Sequence, residues 1–386
     1  MRKVTLPLTV RTLIVLVLAA AMAGACGGPG TGSVTSPTPA RTSPSSASNS
    51  PRASASPSSS ANPSPAPSPV PVVGAFGLLE TARGADTYTV SLVGVDGKVA
   101  ASAQASDPAG VSCANAAAAL VAPPVSTSNT RAYFMDAQGV VRYLAPNGDT
   151  GRATTVPGGN GGRRSMFAVS PDDQRIAVSV ADFNSSGAAT RLSVEDLNGG
   201  GNHLDLFTET GAYTLWPTGW HGTSNLVVAK VPACTQGGGF GSGGPQELHI
   251  VDPATANRKF TIGGNDCIVA GAPSPAGAAC ETTTGTAKVF DWTAVLLRTY
   301  AIPGVGQGPM YLSPNGQHLA FSSNANTTTI EGSSSLSMDV CGWIDDTHIF
   351  AGGDAQHQPR VGDVTNGKIA PIGAVGVCAG RIPGGL

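Results

Sequence analysis

The chain has 386 residues, of which only 12% are charged, with 51 Gly and 30 Pro. Five of its 22 Lys and Arg precede the first acidic residue, Glu80, so residues 76–386 carry 17 Lys and Arg against 24 Asp and Glu, a net charge of −7. That excess of acid excludes nucleic acid as a partner and flat docking on anionic lipid, since both need a basic surface.

Arg2, Lys3 and Arg11 make a basic start, Thr12–Ala23 is apolar and too short to span a bilayer, and Ala23-Gly24-Ala25 precedes Cys26. This is the order of an export signal. The run resembles a bacterial lipobox, with Ala23 standing three positions before the cysteine where Leu is usual. The resemblance implies that Cys26 becomes the N-terminal residue and carries acyl chains such as palmitate, which tether the protein to the outer face of the cell membrane. The alternative is plain secretion, because Ala23-Gly24-Ala25 also fits an A-x-A cleavage site. Residues 27–75 are Ser, Pro, Thr, Ala and Gly with almost no large apolar side chain. Such a segment cannot build a core and acts as a passive tether, about 40 Å long as a flexible coil and roughly 150 Å as polyproline II. The expected organisation is a signal peptide over 1–25, a lipidated cysteine and disordered linker over 26–75, and a folded domain over 76–386.

The folded part opens with three strands, around Phe76–Glu80, Tyr88–Val93 and Lys98–Ala103. Residues 106–130 read as an irregular connection, with a short helix over Ala114–Ala122 stopped by Pro123-Pro124. The clearest repeat follows at Phe167–Val180, where Ser170-Pro171-Asp172-Asp173 joins two β-branched runs. Pro presets φ and Asp tolerates left-handed geometry, so this is strand, tight turn, strand. The same pattern returns at Met310–Phe321 around Ser313-Pro314-Asn315-Gly316, and more weakly at Ser274-Pro275-Ala276-Gly277. Two further copies carry Trp instead, Gly219-Trp220 with Leu226 and Gly342-Trp343 with Ile349. A second turn type, an apolar run followed by Asp, Glu or Asn and then Gly or Thr, occurs seven times: at Asp96-Gly97, Asn147-Gly148, Asn198-Gly199, Asp252–Thr255, Asp291–Thr293, Glu331-Gly332 and Asp363–Gly367.

Two hairpins per unit make four strands, and residues 76–386 divided into seven give about 44 residues per unit, the period of propeller blades. An all-β, seven-bladed β-propeller is therefore expected, with six or eight blades as neighbouring counts and a pair of β-sandwiches as the alternative. Ser313–Phe321 resembles the propeller domain of the bacterial Tol translocation system, and Leu248–Thr255 resembles the surface-layer YVTN repeats. Both belong to the bacterial WD40-like propellers, and what they imply is an architecture, since fold does not fix function. The strand-like Val375–Ile382 has no hairpin partner after it, so it is expected to supply the missing strand of the first blade. Burial of Val375, Val377, Cys378 and Ile382 would stabilise that closure.

Cys26 apart, six cysteines remain, an even number that reads as three disulfides in an exported chain. Cys267 and Cys280 flank the Pro273–Gly277 turn and are expected to pair; Cys113, Cys234, Cys341 and Cys378 have no partner that spacing assigns. No zinc spacing, nucleophile elbow or sialidase Asp-box is present, and no metal or cofactor is expected. Gly239–Gly244 matches G-x-G-x-x-G without a following helix, and Asp182–Gly187 begins like a calcium loop but has Ser193 where Glu is needed. Trp220 and Trp343, at repeat positions, are expected between blades. Trp216, off the repeat, and His221 are the candidate ligand contacts. The reading is a non-enzymatic binding or scaffold module, monomeric, for a protein, peptide or glycan ligand. The alternative is an extracytoplasmic lyase or hydrolase, which would show convergent His, Asp, Glu or Arg at one channel mouth instead of Ala, Gly and Ser.

Overall fold

Strand, turn and strand repeat through the chain until seven antiparallel sheets have formed, each built mainly from one continuous stretch. The computed structural model describes residues 70–81, 86–113, 117–235, 244–302, 308–324, 326–333 and 335–386. Of the two units into which the chain divides, Met1–Ala61 and Asn62–Leu386, all of these belong to the second. Cys26 and most of Gly239–Gly244 lie outside the described residues.

Blade 1 joins Val377–Ile382 to Phe76–Glu80, Thr87–Gly94 and Val99–Ser106. Blade 2 spans Val125–Thr127 to Thr150–Thr155, blade 3 Arg163–Val169 to Leu204–Gly211, and blade 4 Tyr213–His221 to Arg258–Gly263. Blade 5 spans Cys267–Val269 to Leu296–Ala301, blade 6 Met310–Leu312 to Thr327–Ile330, and blade 7 Gly342–Trp343 to Ile369–Pro371. Among the described residues, blade 6 has three strands and the others four. Among the described residues there is no helix; Ala118 and Ala119, expected to be helical, sit in isolated bridges to Ser112 and Cys234. Extended pairing and the nearby Cys113–Cys234 disulfide override the helix propensity of the alanines there.

Blade 4 shows why these strands read as continuous apolar runs. In its second strand, Asn225–Pro232, Leu226 and Val228 pack with Ala168, Ala177, Leu192 and Val194 of blade 3. The alternate residues Val227, Ala229 and Val231 pack with Val269, Ala278 and Trp292 of blade 5. Side chains alternate across a strand, so a sheet covered on both faces needs apolar residues at odd and even positions alike. Seven wedges of this kind join successive blades, and the seventh, Leu79 and Val93 with Ile344, Phe350 and Val361, links blade 7 back to blade 1.

The turn motifs have identifiable roles. Asp173 of the Ser-Pro turn takes φ 59°, and its carboxylate accepts hydrogen bonds from Tyr133 Oη at 2.7 Å and Thr130 Oγ1 at 2.5 Å, both in blade 2. Burial, then the Asp173 charge, raise the Tyr133 hydroxyl well above the ordinary tyrosine range. Trp220 and Leu226 are cross-strand partners, as are Trp343 and Ile349, which explains their equal spacing. The Trp220 indole donates to Ala168 O of blade 3 at 3.3 Å, and the Trp343 indole donates to Tyr311 O of blade 6 at 2.8 Å. Both acceptors lie two residues before a Ser-Pro turn, so a Ser-Pro blade followed by a Trp blade forms a repeated joint.

The last strand closes the ring, with Phe76 opposite Ile382, Leu78 opposite Gly380 and Glu80 opposite Val377. The expected burial there needs correction. Ile382 is fully buried, but Val375 and Val377 are 44% and 53% exposed and Cys378 is half-buried. The closing strand has only Cys378, Ala379, Gly380 and Arg381 between its ends and so buries little apolar surface beyond Ile382; its hold comes from main-chain pairing and the Cys341–Cys378 disulfide to blade 7. The other two disulfides are Cys113–Cys234 and the expected Cys267–Cys280, which spans the first hairpin of blade 5. Three disulfides fit an oxidising, extracytoplasmic compartment.

Candidate functional site

The first strands of all seven blades surround one cavity of about 730 Å³. They contribute Val125–Thr127, Phe167, Trp216–Thr218, Ile268–Val269, Tyr311–Leu312, Gly342–Trp343 and Cys378–Arg381 to its wall. Its rim is Pro- and Gly-rich, with Pro123, Pro245, Gly271, Pro273, Gly308 and Pro309. Pro fits here because the approach to an innermost strand leaves its N–H without a ladder partner. Rigid apolar walls with few polar groups are the usual character of a small-ligand or peptide site.

Among the described residues, the charged lining residues are Glu281 and Arg381. Burial pushes the Arg381 guanidinium down to about 10, against the opposing pull of Asp346 and Asp345, so it stays charged at neutral pH. Tyr311 is pushed the other way, up to about 12, by burial and then by Asp339, so its hydroxyl stays protonated. Neither group can exchange a proton readily near pH 7, as a general acid or base must. Among the described residues no group of three or more His, Cys, Asp or Glu is placed to hold a metal ion.

No family model matches the sequence, and no curated protein matches it. Among solved structures, the chain is similar to the Cps50 (Swd1) β-propeller domain of Myceliophteria thermophila, with a TM-score of 0.43 and 9% identity, covering 65% of this chain and 86% of that one. The assignment as a seven-bladed propeller rests on the sheets and the wedges between them.

Of the two sequence-stated ligand candidates, Trp216 reaches the cavity. It is half-buried, its indole donates to Thr214 Oγ1 at 3.0 Å, and its other side packs toward the Cys113–Cys234 bridge. His221 lies just outside, stacked on Trp292 at 5.7 Å, with Nδ1 2.6 Å from Leu386 O. Asp182, from the partial calcium motif, is bound to Arg163 at 2.6 and 3.1 Å, an ion pair that engages both carboxylate oxygens. Sequence reading missed Glu281 and Arg381, which belong to different blades and come together only through ring closure. It also missed His249, buried in blade 4 and 2.9 Å from Glu247, which in turn meets Lys230 at 3.1 Å. The alternation of Glu247 and His249 on one strand face opposite Lys230 was the signal available.

Proposed function

We propose that the protein is a non-enzymatic binding module, held at the outer face of the cell membrane by lipid on Cys26, whose central cavity receives a protein, peptide or glycan ligand. The observation that carries this reading is the wall: among the described residues, small, apolar and proline residues from the seven inner strands and the loops beside them, with Glu281 of the second strand of blade 5 and Arg381 as its charged groups. A hydrolase or lyase needs an acid and a base of suitable pKa aimed at one reacting atom. The cavity offers shape and apolar surface instead, which favour binding. The tether of residues 27–75 supplies the reach that a surface receptor needs to meet a ligand away from its own membrane.

The test uses peptide and glycan arrays probed with the folded protein and with an Ala270→Trp variant that fills the cavity. Retention of a ligand by the native protein and its loss in the variant supports the reading. Hydrolysis or elimination of an array compound that disappears with Glu281→Gln contradicts it. For the anchor, Cys26→Ser should release the protein into the medium, and identical fractionation of the native and substituted proteins contradicts the lipid tether.

A further inference from the structure

Residues 383–386, Pro-Gly-Gly-Leu, leave the closing strand of blade 1 and cross the turns after the first strands of blades 2 and 3 and then the end of the first strand of blade 4. Gly384 N donates to Ser128 O at 2.8 Å, and Gly385 lies against Pro171. Leu386 N donates to Trp220 O at 2.8 Å, and His221 Nδ1 meets Leu386 O at 2.6 Å. The Leu386 side chain packs with the blade 4–blade 5 core, where a Cβ on Gly219 would stand 2.6 Å from its Cδ1. A Cβ on Gly384 would stand 2.3 Å from Thr127 Oγ1, so only glycine passes there. Gly384 and Leu386 both line the central cavity, which places this segment across one of its two mouths.

The segment is held as a bound peptide is held, by main-chain pairing and one aliphatic anchor in a pocket. What holds it is small. It has one large side chain, and two of its four residues are glycines, which lose more backbone freedom on ordering than any other residue. A groove with such a weak internal occupant is open to competition. We propose that the face of the ring formed by Ser128, Pro171 and Gly219–His221 is a peptide-binding groove, and that it accepts from a partner polypeptide an extended segment with two small residues followed by a leucine-sized one. This inference deepens the proposed binding role, since the groove is one mouth of the same cavity; the partner's segment and residues 383–386 exclude each other.

The experiment titrates the acetylated peptide Ile-Pro-Gly-Gly-Leu, followed by tryptophan fluorescence and calorimetry, into the full chain and into a chain ending at Ile382, which keeps the closing strand. The shortened chain should bind one equivalent at least tenfold more tightly than the full chain does, and His221→Ala in the shortened chain should weaken that binding about tenfold. The scrambled peptide Ile-Pro-Leu-Gly-Gly should bind at least tenfold more weakly. A second variant, full-length Gly384→Val, expels the segment sterically and should bind the peptide like the shortened chain. No binding by either variant while near-ultraviolet circular dichroism shows it folded, or equal binding by the full chain, overturns the inference. Array ligands that enter by the opposite mouth are read separately, so failure of the peptide titration leaves the proposed cavity function standing.

Discussion

The joint between blades 3 and 4 and the closure at blade 1 hold the same ring by different means. At the joint, Trp220 is 1% exposed, packs on Ala168, Ala177 and Leu192, and fixes its indole to a blade 3 carbonyl. At the closure, a strand with one fully buried apolar side chain is held by a main-chain ladder and a disulfide. Both segments are innermost strands, so the difference follows from the side chains they offer to the neighbouring sheets. Trp220 fills the space between two sheet faces, whereas Val377–Ile382 turns only Cys378 and Ala379 toward its neighbours and buries Ile382 alone. Stability at the joint should therefore be sensitive to side chains, and stability at the closure to main-chain continuity.

The largest effect expected is from a chain ending at Gly373. It would leave Phe76–Glu80 as an unpaired edge in blade 1, and such edges aggregate. The shortened protein should aggregate or melt roughly 5–10 °C below the full chain by calorimetry, since each kcal/mol shifts the melting point of a domain this large by about 2 °C. Reduction of the disulfides comes next. By loop entropy the losses should rank Cys113–Cys234 at roughly 5, Cys341–Cys378 at roughly 4 and Cys267–Cys280 at roughly 3 kcal/mol, because the bridged loops shorten in that order. Pairwise Cys→Ser variants unfolded in guanidinium give the ranking.

Trp220→Ala should cost about 3–5 kcal/mol as a buried-aromatic truncation, while Val377→Ala, in an exposed position of the closing strand, should stay within about 0.5 kcal/mol. Equal losses from the two would erase the distinction between joint and closure. The smallest effect concerns pH. Burial holds the His249 imidazole below its ordinary 6.5, with Arg258 and Lys230 adding to the depression and Glu247 opposing it. Between the folded and unfolded values the unfolded chain binds more protons, so stability falls as pH drops through 6.5 toward the folded value. His249→Gln should flatten that part of the stability profile measured by chemical denaturation.

The fold was legible because its signals are local. Ser170–Asp173, Ser313–Gly316 and six of the seven Asp, Glu or Asn turns specify hairpins from within ten residues, and the Trp-to-aliphatic spacing reports cross-strand partners directly. Blade 6 shows where local signals stop. Its Glu331-Gly332 turn is present, yet among the described residues no fourth strand follows, because Leu336 turns back to bridge Thr328 and the chain enters blade 7 at Gly342. The disulfides divide the same way: Cys267–Cys280 spans one hairpin, whereas Cys113–Cys234 joins positions 121 apart that only the packed ring brings together. The cavity is the extreme case, since each blade gives it one short strand and no single stretch of sequence carries its character.

The cavity exists only if Val377–Ile382 pairs with Phe76–Glu80, and native-state hydrogen exchange of those amides tests that pairing most directly. The ladder amides of both segments should exchange as slowly as those of Arg175–Asn184 inside blade 3. Exchange as fast as that of the exposed turns would show that the ring is not closed by this strand and that its inner strands do not enclose a site.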